Sequence, residues 1–287
     1  MEIGIGLPNP VPGTPGRLLV DWAKRAEEKG FSSLATIDAV AYPSYDSLIS
    51  LAAAAAVTER IRLLTNVLVA TARNPVLLAK EAASVDQISG GRLTLGLGVG
   101  WREDDNTASR TSFKGRGRYM DELLDIMHRA WNGELVEGTS KALTPAPVRD
   151  GKVPILIGGY IPLSAERAAR WGVGWTSGGL PPDQVGAFVP GVHDAWKKAG
   201  RSDKPRIVAL AYYSLGDENT DESKAYLKDY YSALGDYADT IADSGLRSPD
   251  ALKSAVKAFE DAGVDELILD PTVADLKQVD LLADAVL

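Results

Sequence analysis

A complete β–α–β unit can be read in residues 61–100, IRLLTNVLVATARNPVLLAKEAASVDQISGGRLTLGLGVG. The β-branched and apolar run Ile61–Val69 predicts a strand, and Pro75–Ile88 has the apolar spacing of a helix that begins at a proline. The next apolar run, Leu93–Val99, predicts a second strand. A strand, a helix and a further strand form the unit from which parallel sheets are built, so this stretch predicts an α/β fold.

The same order of elements continues on both sides of this unit. The predicted strands are Ile3–Leu7, Ser33–Ile37, Ile61–Val69, Leu93–Val99, Val153–Ile157, Val173–Thr176, Arg206–Ser214 and Glu266–Leu269. The predicted helices are Pro15–Lys29, Ser47–Glu59, Pro75–Ile88, Arg116–Trp131, Ser164–Ala169, Asp183–Lys198, Asp221–Tyr237, Pro249–Ala262 and Val273–Val286. Eight such units average about 36 residues, which fits a (β/α)8 barrel better than two open sheets. We therefore predict a single TIM-barrel domain over residues 1–287.

The composition excludes several classes of protein. The chain has 31 Lys and Arg against 39 Asp and Glu, so its net charge of −8 gives no support to nucleic-acid binding through bulk positive charge. It contains no cysteine, which excludes disulfides and thiolate metal sites. Its two histidines, His128 and His193, both lie in predicted helices, so we predict neither a histidine-rich zinc site nor a Ser-His-Asp triad.

No segment has the pattern of a membrane span or a secretory leader. The longest apolar stretch, Leu48–Val57, is about half the roughly 20 residues that a bilayer requires. The first residues, Met1–Pro8, have the pattern of a strand rather than of a signal peptide. These features predict a cytoplasmic protein that does not bind membranes.

The segment Gly90–Trp101 carries glycine at every second position near the end of its strand. Because alternate residues of a strand share a face, Gly96, Gly98 and Gly100 remove side chains from one face and open space for a flat ligand. Tight packing within the barrel explains the pattern equally well. A dinucleotide-binding motif fits less well, because the spacing is G-x-G-x-G and no helix follows directly.

Two further glycine pairs follow the fifth and sixth predicted strands, in Ile157–Ser164 (IGGYIPLS) and Thr176–Leu180 (TSGGL). Exposed backbone amides beside a helix N-terminus bind phosphate without a basic side chain. Two neighbouring loops of this kind would hold one phosphate between them, although each loop taken alone is more often an ordinary turn.

Polar residues also occur at the strand ends. Asn66 lies within an apolar strand and requires a hydrogen-bonding partner, which indicates a ligand-facing role. Asp38 follows the second strand and is either ligand-facing, a solvated carboxylate or part of a salt bridge at the barrel rim. The acidic run Glu103–Asp105 is expected to be solvated. Aromatic residues in the loops wall a pocket or belong to the core: Tyr42, Tyr45, Trp101, Phe113, Tyr212 and Tyr213.

Four ordered motifs within about residues 1–180 resemble the luciferase-like monooxygenases, the bacterial-luciferase superfamily of flavin- or F420-dependent oxidoreductases. The motifs are TNVLV (65–69), RNP (73–75) with the helix LAKEAASVDQISGGR (78–92), GLGVGW (96–101) and RGRYMDE (116–122). The resemblance implies a TIM barrel that binds FMN, or the deazaflavin F420, at the carboxyl ends of its strands.

The resemblance also implies roles for individual residues. Thr65, Asn66 and Val67 would face the isoalloxazine ring, around a non-proline cis peptide bond that many members have. The other implied cofactor contacts are Gly98, Gly100 and Trp101 along the cofactor and Gly158, Gly159, Tyr160, Ser177, Gly178 and Gly179 around its phosphate. Many relatives, notably those that use F420, have Asp-His where this chain has Asp38-Ala39. This departure favours FMN, with Asn66 and Asp38 as the candidate catalytic residues.

The function that these features predict is FMN-dependent monooxygenation of a small organic substrate with O₂. Reduced FMN would come from NAD(P)H directly or from a partner flavin reductase, and relatives commonly form homodimers. The first alternative is an F420-dependent oxidoreductase that transfers hydride. A second alternative, from another class, is a barrel that binds flavin without turnover. No metal is expected in any of these.

Overall fold

The structure is a computed structural model. It describes residues 1–136, 138–149 and 151–287, and at residue 217 it describes the backbone only. Eight parallel strands pair in chain order, and β8 pairs with β1 to close the barrel. The strands are β1 (Glu2–Gly6), β2 (Ser33–Thr36), β3 (Arg62–Val69), β4 (Leu93–Gly98), β5 (Ile155–Gly158), β6 (Gly174–Thr176), β7 (Arg206–Tyr213) and β8 (Glu266–Pro271). The predicted (β/α)8 TIM barrel is therefore confirmed.

Helices surround the barrel. They are α1 (Gly16–Lys29), α2 (Ser47–Ala55), α3 (Pro75–Ser89), α4 (Glu103–Ala108), α5 (Arg116–Trp131), α6 (Pro162–Trp171), α7 (Pro182–Lys198), α8 (Thr220–Tyr230), α9 (Tyr237–Asp243), α10 (Pro249–Asp261) and α11 (Lys277–Val286). In the part of the chain that the structure describes, no helix combines the length and the apolar character needed to span a bilayer.

One prediction about the helical segments is wrong, and one is wrong in part. The single helix predicted over Asp221–Tyr237 is divided: α8 ends at Tyr230, and the 3₁₀ turn that follows ends at Gly235, whose φ 60° and ψ −137° cannot continue a helix, before α9 begins. The acidic run Glu103–Asp105 opens α4, and Glu103 and Asp104 are exposed as expected, whereas Asp105 is not. Asp105 is buried and accepts hydrogen bonds from the backbone N–H groups of Val40 and Ala41, both at 2.8 Å.

Strand register identifies the side chains that fill the barrel. Ala35, Leu64, Leu156, Val208 and Ile268 form one apolar cluster inside it, and they alternate with residues that face the helices. Because side chains on a strand alternate between faces, residues two positions before these lie inside the amino end, and residues two positions after lie inside the carboxyl end. In β3 the register shifts between Thr65 and Leu68, so the alternation does not continue through Asn66 and Val67.

The amino end of the barrel is closed by an ionic group around Glu266. Its side chain is completely buried and accepts hydrogen bonds from the hydroxyls of Ser32 (2.5 Å) and Ser33 (2.6 Å). It also pairs with the guanidinium groups of Arg62 (3.1 Å) and Arg206. With this end closed by a satisfied charge network, the carboxyl end is the opening available to a ligand.

Candidate functional site

Val67 and the glycines beside it form a small platform inside the carboxyl end of the barrel. A Cβ atom at Gly98 would lie 2.8 Å from Val67 Cγ2, and one at Gly158 would lie 3.1 Å from Val67 Cγ1. A Cβ atom at Gly96 would meet the carbonyl oxygen of Thr65 at 2.0 Å. The glycines of β4 and β5 therefore let β3 pack closely against these strands. Tight packing was one of the two explanations expected for the glycine run. Val67 itself is only half-buried, although most of β3 is fully buried.

Asn66 lies next to this platform and has an unused hydrogen-bond donor. Its side chain is 2% exposed, and its Oδ1 accepts from the hydroxyl of Thr176 at 2.6 Å. Its Nδ2 has no partner among the described residues. A buried amide donor without a partner is costly, so it indicates a group that a bound ligand would satisfy. The peptide bond between Asn66 and Val67 is cis.

The structure separates Thr65 from the other two residues of its motif. Thr65 is completely buried, and its hydroxyl donates to the carbonyl oxygen of Gly96 at 2.8 Å. Its hydroxyl is thus used to join β3 to β4. Asn66 and Val67 are the members of the motif that lie towards the barrel interior.

Asp38 is held in a salt bridge at the rim of the barrel. Its carboxylate accepts from Val69 N (2.9 Å) and from the hydroxyl of Ser47 (3.2 Å), and it pairs with Arg73 at 3.1 Å. Arg73 also pairs with Asp46 at 2.9 Å. Burial raises the pKa of Asp38, and the neighbouring guanidinium of Arg73 acts in the opposite direction. Of the three roles expected for Asp38, these contacts match the salt bridge at the barrel rim.

The two glycine loops lie side by side, because Gly158 of β5 pairs with Thr176 of β6. Gly159 has φ +116° and Gly178 has φ +57°, and a Cβ atom at Gly178 would have no other heavy atom within 4 Å. The hydroxyl of Ser177 donates to the carbonyl oxygen of Gly178 at 2.9 Å. Gly158 faces Val67 inside the barrel, whereas Gly159, Gly178 and Gly179 belong to the loops.

Tyr160, in the first loop, is 68% exposed. Gly100 has φ +71°, and a Cβ atom there would lie 2.7 Å from Val69 Cγ1. Trp101 is 38% exposed and stacks on Tyr231 at 5.7 Å between ring centroids. Trp101 thus belongs to the rim of the barrel, beyond the platform.

Aromatic side chains from the loops after β2 and β4, from β7, from α8 and from the residue after α8 pack together at the carboxyl end, and we call them the aromatic cover. They are Tyr42, Trp101, Tyr212, Tyr226, Tyr230 and Tyr231. The guanidinium of Arg102 lies 4.3 Å from the ring centroid of Trp101 and 4.0 Å from that of Tyr230. The hydroxyls of Tyr212 and Tyr231 lie 2.6 Å apart. The rings therefore pack against one another and against the Arg102 guanidinium at this end of the barrel.

Sequence reasoning missed Asp270, which the prediction left in a loop after β8. The strand continues to Pro271, and Asp270 pairs in register with Tyr212 of β7. Its side chain is buried, and neither carboxyl oxygen has a partner among the described residues. Burial raises the pKa of Asp270 well above its usual value. The alternation Glu266, Ile268, Asp270 is the signal that would have placed it inside the barrel.

Some other residues have structural roles away from this opening. His128 packs on Trp171, with ring centroids 5.3 Å apart, and His193 is exposed on α7. Tyr213 is completely buried in the core between the barrel and the surrounding helices. The ring of Phe113 packs against the guanidinium of Arg116. Across residues 1–136, 138–149 and 151–287, no group of three or more His, Cys, Asp and Glu side chains is placed to hold a metal ion.

Comparisons with known proteins relate the chain to one family. The family model described as luciferase-like monooxygenase matches residues 1–283. The F420-dependent glucose-6-phosphate dehydrogenase of Nocardia farcinica is 35% identical over 205 residues, which are 65% of this chain and 61% of that protein.

Two solved structures are similar over nearly their full length. The monooxygenase RslO1 of Streptomyces bottropensis is 25% identical with a TM-score of 0.82, over 100% of this chain and 98% of that chain. The oxygenating constituent of 3,6-diketocamphane monooxygenase from Pseudomonas putida, solved with FMN, is 19% identical with a TM-score of 0.74. That match covers 100% of this chain and 97% of the other, and it shows a shared fold.

Proposed function

Because the chain belongs to the luciferase-like monooxygenase family, whose members are flavin- or F420-dependent oxidoreductases, we propose that it is an FMN-dependent monooxygenase. In this proposal, a small organic substrate and O₂ react inside the carboxyl end of the barrel. Reduced FMN, when bound, would supply two of the four electrons that reduce O₂; the substrate supplies the other two as it gains one oxygen atom, and the second oxygen atom leaves as water. The protein contributes binding, orientation and the exclusion of water.

The observation that carries this proposal is the half-buried Val67 beside the unpartnered Nδ2 of Asn66. A flat heterocycle fits a small apolar platform, and the carbonyl oxygens at its edge accept the hydrogen bond that Asn66 leaves unmade. In this proposal the aromatic cover keeps bulk water away from the ring, which would strengthen polar contacts inside the site. The residues present therefore fit the ring of a flavin.

The ring and the phosphate would be held by different parts of the chain. The loops that begin at Gly159 and Gly178 lie together at the ends of β5 and β6, and α6 begins directly after the first of them. Backbone amides in such loops favour an anion. We propose that they hold the FMN phosphate.

A glycine substitution tests the proposed phosphate site separately from the proposed ring site. In Gly178→Val, the new side chain would stand in the proposed phosphate space, and we expect FMN binding to weaken by at least about tenfold while riboflavin binding changes little. Gly200→Val is the matched control, because Gly200 also has a positive φ and open space around it but follows α7 at the amino side of β7. Fluorescence titration with both ligands measures the effect. Equal weakening of FMN and riboflavin in Gly178→Val would contradict the phosphate assignment.

F420 is the second candidate cofactor, and the 35% identity to an F420-dependent dehydrogenase favours it. Titration of the protein with FMN and with F420 measures which ring binds. Mixing the complex of the reduced cofactor with air then tests the reaction: oxygen-dependent reoxidation coupled to substrate oxidation supports monooxygenation. Reoxidation that requires an organic acceptor and not O₂ supports hydride transfer. Binding without either reaction would support a carrier, and binding of neither cofactor would contradict every version of the proposal.

Substitution of Asp38 tests whether it takes part in the chemistry. All of its observed contacts are with the protein, so we expect Asp38→Asn to lower the free energy of unfolding by about 2 kcal/mol and to change riboflavin affinity less than about threefold. Urea unfolding and ligand titration measure the two effects. A large loss of ligand affinity in a variant of unchanged stability would show instead that Asp38 contacts the ligand.

Partners of the enzyme are also proposed. Reduced FMN would come from NAD(P)H in place or from a separate flavin reductase. A homodimer is supported by the exposed apolar side chains of Ile49 on α2 and Leu77 on α3, which are 72% and 54% exposed on adjacent helices. Sedimentation of the wild-type protein measures the oligomeric state.

A further inference from the structure

Asp270 is a buried acid inside the carboxyl end of the barrel that nothing in the fold requires. It is 3% exposed, and both of its carboxyl oxygens lack a hydrogen-bond partner among the described residues. Glu266 lies four residues earlier on the same face of the same strand, and its carboxylate has four partners. A buried carboxyl group without partners is destabilising, so its presence needs a reason outside the fold.

Asp270 and Asn66 both lie inside the carboxyl end of the barrel. Leu64 and Ile268 belong to the apolar cluster within the barrel, and Asp270 follows Ile268 by two residues on β8, so strand alternation places Asp270 above that cluster. Asn66 accepts a hydrogen bond inside the barrel from Thr176, which pairs in register with Val208 of the same cluster. The unpartnered donor of Asn66 and the unpartnered carboxyl of Asp270 therefore both belong to the interior of this end.

The neighbours of Asp270 make room for it without neutralising a charge. A Cβ atom at Gly6 would lie 1.6 Å from Asp270 Oδ1, so only glycine at position 6 admits this side chain. The titratable groups whose charge interacts with that of Asp270 are all tyrosines: Tyr212 and Tyr213 of β7, Tyr226 of α8 and Tyr231, the residue after α8. None of these is a cation. Burial without a neighbouring cation disfavours the carboxylate and raises the pKa of Asp270.

We propose that Asp270 is a neutral carboxyl that donates a hydrogen bond to the heterocyclic ring held on the Val67 platform. The pyrimidine edge of that ring, which FMN and F420 share, carries carbonyl oxygens that accept such a bond. A carboxylate at the same place would repel them. The inference rests on the proposed function, because the ring of the proposed cofactor is the group that accepts the hydrogen bond of Asp270. It gives the site a second hydrogen-bond donor besides Asn66.

Difference infrared spectroscopy tests the inference directly. In the ligand-free protein near neutral pH we expect the carbonyl stretch of a neutral carboxylic acid, which shifts in D₂O, is absent from Asp270→Asn and is retained in Asp86→Asn. Asp86 is a matched control, because it is buried to a similar degree but accepts from Val148 N at 2.7 Å on the outer side of the barrel. Addition of FMN, or of F420, should shift this band further as the new hydrogen bond forms.

Ligand titration adds a second readout. Asn at position 270 still donates a hydrogen bond, so Asp270→Asn should bind riboflavin within about threefold of wild type, whereas Asp270→Leu should bind about fivefold more weakly. Absence of the acid band from the wild type, or a band that does not move when bound cofactor is verified by fluorescence, would overturn the inference and leave the proposed function intact. Failure of FMN and F420 to bind would instead overturn the proposed function, on which the inference rests.

Discussion

Replacement of Val67 by tryptophan should abolish binding of the flavin ring, with FMN and riboflavin affinities both reduced by at least about 100-fold. Val67 is the half-buried member of an otherwise buried strand end, and its methyl groups lie against Gly98 and Gly158. A bulky ring at this position would stand in the space that the ligand must enter. Both ligands should be affected equally, because the platform contacts the ring and not the phosphate.

The matched variant is Val67→Ala, which keeps the backbone and removes only the two methyl groups. It should weaken riboflavin binding by no more than about 15-fold, since each of the two methyl groups contributes about 0.8 kcal/mol when buried. Fluorescence quenching of the free ligand measures both variants, and far-ultraviolet circular dichroism verifies that each has folded. Val67→Trp that is folded and binds riboflavin like the wild type would contradict the placement of the ring.

Replacement of Glu266 by glutamine should lower the free energy of unfolding by about 3–5 kcal/mol, because Arg62 and Arg206 then lose the buried charge that compensates them. Urea unfolding followed by tryptophan fluorescence measures the loss. Glu260→Gln, which removes an exposed partner of the chain's amino group, is the control and should change stability much less. A Glu266→Gln variant as stable as the wild type would show that the ionic group does not hold the amino end closed.

The same substitution has a predicted pH dependence. Burial acts to raise the pKa of Glu266, but Arg206, the hydroxyls of Ser32 and Ser33, and Arg62 outweigh it and lower that pKa below its usual value. A carboxylate with a lowered folded pKa stabilises the protein above its unfolded pKa and loses this contribution as the pH falls through the folded value. The difference in stability between wild type and Glu266→Gln should therefore be complete near neutral pH and shrink in acid.

The sequence predicted the barrel well because strand and helix periodicity decide it. All eight strands were located, and the ends differ by one or two residues because pairing with neighbours decides them. β5, for example, begins at Ile155 rather than Val153. The helix predicted across Gly235 was wrong because α8 ends at Tyr230 and the backbone conformation of Gly235 ends the 3₁₀ turn that follows it. Apolar spacing on both sides of it gave no sign of the break.

The candidate site was predicted only in part. Asn66 stood out as a polar residue in an apolar strand, and the structure places it inside the barrel with an unused donor. The partners of Asp38 could not be derived, because Arg73 and Val69 reach it through loop geometry. Asp270 was given no role because the predicted strand ended at Leu269, whereas β8 continues to Pro271 by pairing with β7.

The most direct test of the central claim is a crystal structure of the protein with FMN bound. The account predicts the ring against Val67, with the Nδ2 of Asn66 and the carboxyl of Asp270 within hydrogen-bonding distance of its edge, and the phosphate at Gly159 and Gly178. A ring bound elsewhere, or a platform and two polar groups that remain covered by the protein's own side chains at saturating FMN, would contradict it.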